Sequence, residues 1–156
     1  MKHFSNALFV LLSLLIVVPM SGCSNGRLKT EPVTGVITLD GEPLADATVG
    51  FGPKISGQGA VGFARTNEKG EYRLQTMNGN PDAGTLPGEY AVTVAKYKLV
   101  PTGRKTTDSD TGKVVDEMTS VFIFPEMNVY ADSDKTPFSA TVVKGKNKFD
   151  FDVKSK

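Results

Sequence analysis

The chain contains a single cysteine, a single histidine and no tryptophan. Because Cys23 has no second cysteine to pair with, an intramolecular disulfide is excluded, and a folded domain has to be held by an apolar core. His3 belongs to the N-terminal segment, so residues 23–156 contain no imidazole. That absence excludes Ser-His-Asp catalysis, the usual general base near neutral pH and histidine-ligated metal sites from these residues.

The chain also lacks an excess of charge of either sign. Lys2 is the only charged side chain among residues 1–22, so residues 23–156 carry 17 basic and 17 acidic side chains. Such a balance excludes the strongly basic footprint of nucleic-acid binding. No G-x-S-x-G nucleophile elbow is present, and neither a Ser-Lys pair nor a pair of acids has a recognisable arrangement. We therefore expect a protein that is not an enzyme and needs no cofactor; a hydrolase using acidic residues is the enzymatic alternative.

The N-terminal segment has the three parts of an export signal. Lys2 supplies positive charge, residues 7–18 form an apolar run, and Pro19 ends that run before the small residues Ser21 and Gly22. This order is typical of a secretory signal peptide. The apolar run is shorter than the ~20 residues that a membrane-spanning helix needs. We expect a signal peptide over residues 1–22.

Cys23 directly follows this signal, and the sequence Met20-Ser21-Gly22-Cys23 resembles a bacterial lipobox. The resemblance implies cleavage before Cys23, followed by attachment of a diacylglycerol thioether and an amide-linked acyl chain such as palmitate. Two or more acyl chains are enough for stable anchoring in a membrane. Ser24 resembles the enterobacterial sorting residue that favours the outer membrane over the inner one. The expected location is the bacterial cell envelope, with a polar tether over residues 23–32.

From Val33 onward, alternating apolar and polar residues predict short β-strands. The strongest alternation comes near the end, where Phe149, Phe151 and Val153 alternate with charged residues. The predicted strands cover residues 33–39, 47–51, 60–66, 71–76, 89–97, 120–124, 138–143 and 148–153. Residues 98–119 predict a long polar loop, residues 125–137 an irregular segment, and no stretch predicts a helix. We expect a single all-β sandwich domain of about seven strands over residues 33–156.

Turn motifs separate these strands. Asp40-Gly41 is a strong two-residue hairpin signal because both residues tolerate positive φ, and Asn67 and Gly70 bound a second predicted turn. These two turns and the sequence Pro87-Gly88-Glu89-Tyr90 resemble the carboxypeptidase regulatory-like domain, a transthyretin-type (prealbumin-like) sandwich, although the family commonly has Thr-Asp at the second turn. The resemblance covers residues 33–97. It implies a β-sandwich without catalytic residues, as found in small bacterial lipoproteins.

Acidic loop residues provide weak candidates for a calcium site. Asp108 and Asp110 offer oxygen ligands at alternate positions, and Asp132 and Asp134 form a thinner pair. A third acidic ligand at EF-hand spacing is missing after Asp110. The alternative for both pairs is a solvated loop without metal, and we assign no metal site.

Aromatic and basic side chains provide two further candidates. Tyr97, Phe124 and Tyr130 are candidates for a sugar-stacking platform, with ordinary packing as the alternative. The basic C-terminus is a candidate contact for anionic lipid or acidic glycan, or it protects an edge strand from aggregation. Its lysines are Lys144, Lys146, Lys148, Lys154 and Lys156.

The sequence as a whole predicts a non-catalytic, lipid-anchored envelope protein that binds or assembles with a partner. Its expected contacts are a membrane, through Cys23, and an envelope protein. The predicted contact surface is residues 98–137, because loops on a rigid sandwich commonly carry recognition. A partner strand added to an exposed sheet edge is a second possible binding mode. The alternative function is a carbohydrate-binding module that docks a surface polysaccharide.

Overall fold

The computed structural model describes residues 28–77, 79 and 84–156. The expected signal peptide, residues 1–22, and the expected lipid-modified Cys23 lie outside the described residues. The elements in chain order are β1 (Val33–Leu39), β2 (Glu42–Pro43), β3 (Thr48–Pro53), β4 (Gly62–Arg65), β5 (Glu71–Arg73), β6 (Gln75–Thr76), β7 (Gly88–Ala95), β8 (Tyr97–Thr107), β9 (Val114–Phe122), α1 (Met127–Ala131), β10 (Ser139–Val142), β11 (Asn147–Lys148) and β12 (Phe151–Val153). The predicted all-β sandwich is confirmed.

The first sheet is centred on β1. On one side β1 pairs in parallel with β11 and β12, in a register that runs from Val33 opposite Asn147 to Leu39 opposite Val153. On the other side β1 pairs antiparallel with β5 and β2. Because the register is the same for β11 and β12, these two segments form one C-terminal strand with an interruption at residues 149–150.

The interruption has a local cause at Gly35. A Cβ atom at this position would lie 1.7 Å from the Phe149 carbonyl oxygen, so only glycine allows the C-terminal strand to approach this closely. The displaced backbone is paired by side chains instead: Val36 N–H donates to Asp150 Oδ1 over 2.8 Å, and the Tyr72 hydroxyl donates to the Phe149 oxygen over 2.8 Å. Both of these backbone groups therefore stay hydrogen-bonded at the interruption.

The second sheet has the strand order β10-β7-β3-β4-β6, and all its pairs are antiparallel. Leu74 separates β5, in the first sheet, from β6, in the second. Its side chain is fully buried. The chain therefore crosses from one layer of the sandwich to the other at Leu74.

The core lies between the two sheets and contains the inward-facing residues of each strand. Phe51 is at its centre, with its ring centroid 5.9 Å from that of Tyr90, 6.3 Å from that of Tyr72 and 6.2 Å from that of Phe149. Tilted aromatic pairs at these distances add to the stabilisation from burial of apolar area. The Tyr90 hydroxyl donates to the Leu86 carbonyl over 2.7 Å, so its polar end is also accommodated inside.

A long hairpin formed by β8 and β9 replaces the loop predicted over residues 98–119, and that prediction is wrong. The two strands pair antiparallel from Tyr97 opposite Phe122 to Thr107 opposite Val114. In β8 only Val100 is partly shielded from solvent, and in β9 only Glu117 and Phe122 are. Because the strands bury so little, their sequence does not have to alternate between a core face and a solvent face.

The segment predicted as irregular, residues 125–137, contains the short helix α1, which the sequence did not predict. Met127 is fully buried against the core, and the Tyr130 ring packs 5.2 Å from that of Phe138. A five-residue helix is too short for its periodicity to be visible in the sequence. Among the described residues, no helix has the length and apolar character needed to cross a membrane.

Hydrogen bonding to the sandwich begins two residues before the predicted domain start. Glu31 forms an isolated antiparallel bridge with Thr85, and its Oε2 accepts a hydrogen bond from Gly145 N–H over 2.8 Å. The Pro32 carbonyl accepts the Asn147 N–H over 2.9 Å. The end of the expected tether is therefore fixed to the domain.

Candidate functional site

The β8–β9 hairpin carries an apolar face. In an antiparallel pair, directly opposed residues have their side chains on the same face, and every second residue shares that face. The register places Tyr97 opposite Phe122, Leu99 opposite Ser120, and Pro101 opposite Met118. We call the five apolar members of this set the hairpin face: Tyr97, Leu99, Pro101, Met118 and Phe122.

Most of the hairpin face is open to solvent. The exposed fraction is 54% for Tyr97, 66% for Leu99 and 48% for Met118. The Tyr97 and Phe122 rings stack with their centroids 4.7 Å apart and their planes inclined by 23°. Contiguous exposed apolar surface of this kind is typical of an interaction site, whereas single exposed apolar residues are ordinary. The hairpin face is therefore the candidate functional site.

A bulge separates the hairpin face from the upper half of the hairpin, which carries charged and polar side chains together with the exposed Val114 and Val115. The register shifts between Pro101 and Lys105, so that extra residues of β8 lie opposite Glu117. The Thr102 hydroxyl donates to Glu117 Oε2 over 2.7 Å, and Lys105 Nζ pairs with Asp116 Oδ1 over 2.6 Å. Charged and polar side chains therefore border the hairpin face at the bulge.

The calcium candidates Asp108 and Asp110 lie at the tip of the hairpin, where Asp108 shapes the turn. Asp108 Oδ1 accepts hydrogen bonds from the hydroxyl and the N–H of Thr111, both over 2.7 Å, and from Asp110 N–H over 3.2 Å. These bonds, the Thr111 hydroxyl first, lower the pKa of Asp108. Within residues 28–77, 79 and 84–156, no three His, Cys, Asp or Glu side chains are grouped closely enough to hold a metal ion.

The second acidic pair has a similar structural role. Asp132 Oδ1 accepts the Asp134 N–H over 2.9 Å, while Asp132 Oδ2 pairs with Lys135 Nζ over 2.7 Å. These contacts, led by the Lys135 bond, lower the pKa of Asp132. Both of its oxygens therefore stabilise the loop after α1.

The three aromatic residues of the predicted sugar platform have different surroundings. Tyr97 belongs to the exposed hairpin face, whereas Phe124 and Tyr130 are half-buried against the core. The Tyr130 hydroxyl accepts the Lys154 N–H over 3.1 Å. In the part of the chain that the structure describes, no aromatic ring pair joins Tyr97 to either of the other two.

The predicted turn residues position β1 and β5. Asp40 and Gly41, with φ angles of 51° and 91°, form the two-residue turn between β1 and β2. Asn67 Oδ1 accepts the N–H groups of Lys69 and Glu71 over 2.9 and 3.0 Å. Gly70, at φ 73°, donates its N–H to the Asn67 carbonyl over 2.9 Å. These residues build the sandwich and do not border the hairpin face.

A second concave surface lies on the outer side of the first sheet. It is a groove of about 570 Å³ in which Arg73 and Lys148 lie on either side of Thr34. A third cation of the groove, Arg65, pairs with Asp46 over 3.3 Å, Lys148 pairs with Asp150 over 3.1 Å, and Glu71 of the same groove adds a further negative charge. The groove therefore does not present the uncompensated charge of an anion site.

The comparisons with known proteins leave the chain without an assigned family. No protein-family model and no curated protein matches it. Among solved structures, a 9R-lipoxygenase from Cyanothece PCC8801 is similar with a TM-score of 0.38 and 13% identity. The match covers 80% of this chain and 17% of that chain. A likeness this distant does not bear on fold, substrate or activity.

The contact surface predicted from the sequence, residues 98–137, contains every residue of the hairpin face except Tyr97, but the sequence did not predict the face itself. The available signal was the recurrence of Tyr97, Leu99 and Pro101 at every second position, which the apolar Val100 obscures. This run is short and contains proline, so it resembles loop sequence until the strands are paired.

Proposed function

We propose that this protein is a non-catalytic, lipid-anchored module of the bacterial cell envelope, which uses the hairpin face to bind another protein. The observation that carries the binding role is the exposure of the hairpin face. The anchoring role is supported by the signal-like residues 1–22 and the lipobox-like position of Cys23. The proposed location is a membrane of the envelope, with the outer membrane favoured by Ser24. Resemblance to the carboxypeptidase regulatory-like domain supports the non-catalytic role.

The hairpin is a reason to expect a partner. A two-stranded hairpin is marginally stable in water unless a third strand or another layer covers one face. Here Leu99 and Met118 are exposed, and β8 and β9 pair only with each other among the described residues. A bound partner would supply the missing layer.

The chemistry of the surface defines the partner. An apolar centre containing a stacked tyrosine and phenylalanine, bordered by the Lys105–Asp116 pair, has the composition of a protein interface: aromatic residues and Met in the middle and charges at the rim. We therefore propose a protein with an exposed apolar strand or helix face. The outer edges of β8 and β9 offer backbone groups to such a strand.

The test is a crosslinking pull-down from intact cells with Leu99→Asp/Met118→Asp. Charges at these two positions should lower recovery of a discrete protein partner at least tenfold, because burying a carboxylate in an apolar contact is costly. The matched control is Lys98→Asp/Thr119→Asp, which adds charge to the opposite face of the same strands. The control should recover the partner as the wild type does.

Two outcomes would count against the proposal. Equal recovery with both double variants would remove the hairpin face from the interaction. Recovery of a polysaccharide that is lost with Tyr97→Ala would favour the carbohydrate-binding alternative. The anchoring part is tested separately with Cys23→Ala, which should move the protein from the membrane fraction to the soluble envelope fraction.

A further inference from the structure

A second exposed apolar surface lies where the described chain begins. It is a shallow hollow of about 250 Å³, and we call its four large apolar residues the tether patch: Leu28, Val61, Phe63 and Met77. The exposed fraction is 90% for Met77, 67% for Val61 and 42% for Phe63. Exposure of this apolar surface to water is unfavourable in free energy. Contact with an apolar neighbour would remove that unfavourable exposure.

The chain length between Cys23 and the tether patch limits where the patch can be. Leu28 lines the hollow and is five residues from Cys23. Five residues reach at most about 18 Å when the chain is fully extended. With Cys23 anchored at the membrane surface as proposed above, Leu28 of the tether patch would be held within about 18 Å of the bilayer.

The charges next to the patch are suited to an anionic lipid surface. Arg27 and Lys29 flank Leu28 in sequence, and Lys29 is exposed. Basic residues beside an apolar contact add electrostatic attraction to anionic lipid headgroups. By contrast, the hairpin face is bordered by the Lys105–Asp116 ion pair, whose charges cancel.

We infer that the tether patch rests on the lipid bilayer and sets the orientation of the domain there. This inference rests on the proposed anchoring through Cys23. The occupant is the interfacial region of the anchoring membrane, with Met77 and Val61 entering among the upper acyl chains and Lys29 meeting anionic headgroups. The orientation assigns separate tasks to the two apolar surfaces: the tether patch contacts lipid, and the hairpin face stays available to a protein.

The absence of tryptophan makes the test direct, because a single introduced Trp is the only indole in the chain. The lipidated protein carrying Met77→Trp is reconstituted into phosphatidylcholine–phosphatidylglycerol vesicles with brominated acyl chains, which quench indoles in the acyl region. The matched control is Val114→Trp, at an exposed site at the upper end of the hairpin. We expect at least a twofold loss of Trp fluorescence at position 77 and no loss at position 114.

The vesicles are first isolated by flotation. This step tests the proposed lipid anchor separately from the proposed orientation of the domain. A protein that does not float contradicts the proposed anchor. A protein that floats without quenching at position 77, or with equal quenching at both positions, overturns the orientation. Quenching at position 114 alone would place the hairpin on the bilayer, and crosslinking between Trp-bearing copies would identify a second copy as the occupant.

A second variant checks the patch itself. Val61→Glu in the Met77→Trp protein should reduce the quenching by at least half while flotation is unchanged, because Val61 is an exposed member of the tether patch. Undiminished quenching would overturn the role of the patch. Thermal unfolding of the same sample verifies that the variant is folded.

Discussion

A single missing side chain, at Gly35, determines how the C-terminal strand packs on β1. The Phe149 carbonyl occupies the space that a Cβ atom would need, and a Cβ would also lie 2.8 Å from a ring carbon of Tyr72. Backbone groups cannot move aside as the end of a flexible side chain can. A larger residue at this position would therefore destabilise the pairing between β1 and the C-terminal strand.

Gly35→Ala should lower the free energy of unfolding by about 3 kcal/mol, the upper end of the typical cost of forcing an extra carbon into a packed site, because the clash is with backbone atoms. Urea denaturation followed by circular dichroism measures the change. The matched control is Gly52→Ala, where the nearest atom to the new Cβ is 4.0 Å away and the free energy should change by less than about 0.5 kcal/mol. Equal effects of the two substitutions would contradict the packing argument.

Asp152 should contribute to stability in a way that depends on pH. Hydrogen bonds from the Lys154 ammonium, the Thr38 hydroxyl and the Gly41 N–H lower its pKa from 3.8 to about 2. Because the folded pKa lies below the unfolded one, the contribution is complete above about pH 4 and is lost as the pH falls towards 2. Since the carboxylate is partly exposed, we expect at most about 1 kcal/mol.

Thermal unfolding of Asp152→Asn between neutral pH and pH 2 measures this contribution. The variant should be less stable than the wild type at neutral pH, and the difference should vanish near pH 2. The control, Glu68→Gln, removes one charge in an exposed turn. A difference between Asp152→Asn and the wild type that is constant across this pH range would show that the ionised carboxylate is not the cause.

A residue required by a local turn can be predicted from sequence, whereas a residue required by a distant contact cannot. The turn at Asp40-Gly41 could be predicted because its signal, tolerance of positive φ, belongs to the two residues themselves. The requirement at Gly35 could not, because it comes from Phe149, 114 residues later in the chain. Local chemistry is readable from sequence, whereas a close approach between distant segments is not.

At the scale of elements, the sandwich strands could be predicted and the hairpin could not. Strands such as β1 and β7 have one face in the core, so their apolar residues alternate with polar ones. The exposed strands β8 and β9 need no such alternation, and Pro101 and Gly103 further weaken the strand signal. The sequence therefore predicted only the region that contains the candidate site. Which residues share the hairpin face depends on the strand register, which the sequence does not show.

The hairpin should be removable without loss of the sandwich. Replacing residues 99–120 with Asn-Gly keeps the stacked Tyr97 and Phe122 near the new turn and removes only side chains outside the core. We expect the free energy of unfolding to change by less than about 1 kcal/mol, since exposed loop tips tolerate deletion. Urea denaturation is the measurement, and a molten or unfolded product would assign the hairpin a structural role.

At the scale of the whole molecule, the two ends of the described chain are joined in one sheet. β1 pairs with β11 and β12 over most of its length, and Ser155 adds hydrogen bonds to Asp40. This pairing is among the most non-local contacts in the fold, and such contacts slow folding because a long loop has to close first. The first sheet is complete only when the last strand is present.

Truncation after residue 146 should therefore prevent folding, although it removes fewer residues than the hairpin replacement does. It exposes one edge of β1 and removes Val153, Phe149 and Phe151 from the core. Far-ultraviolet circular dichroism should show a largely unfolded chain, and a peptide covering residues 147–156 should restore the β signal. A truncated chain that retains a cooperative thermal transition would contradict this account.

The position of β1 also has a mechanical consequence. The chain enters the domain at Pro32, whose carbonyl is already hydrogen-bonded to Asn147, and continues directly into β1. A pull on the chain from the side of Leu28 is directed along β1, between the neighbours on its two sides. Such a force shears the interstrand hydrogen bonds together, whereas a pull at a hairpin end would peel them apart one at a time. The N-terminal connection is thus made at a point where the sandwich is well suited to resist extension.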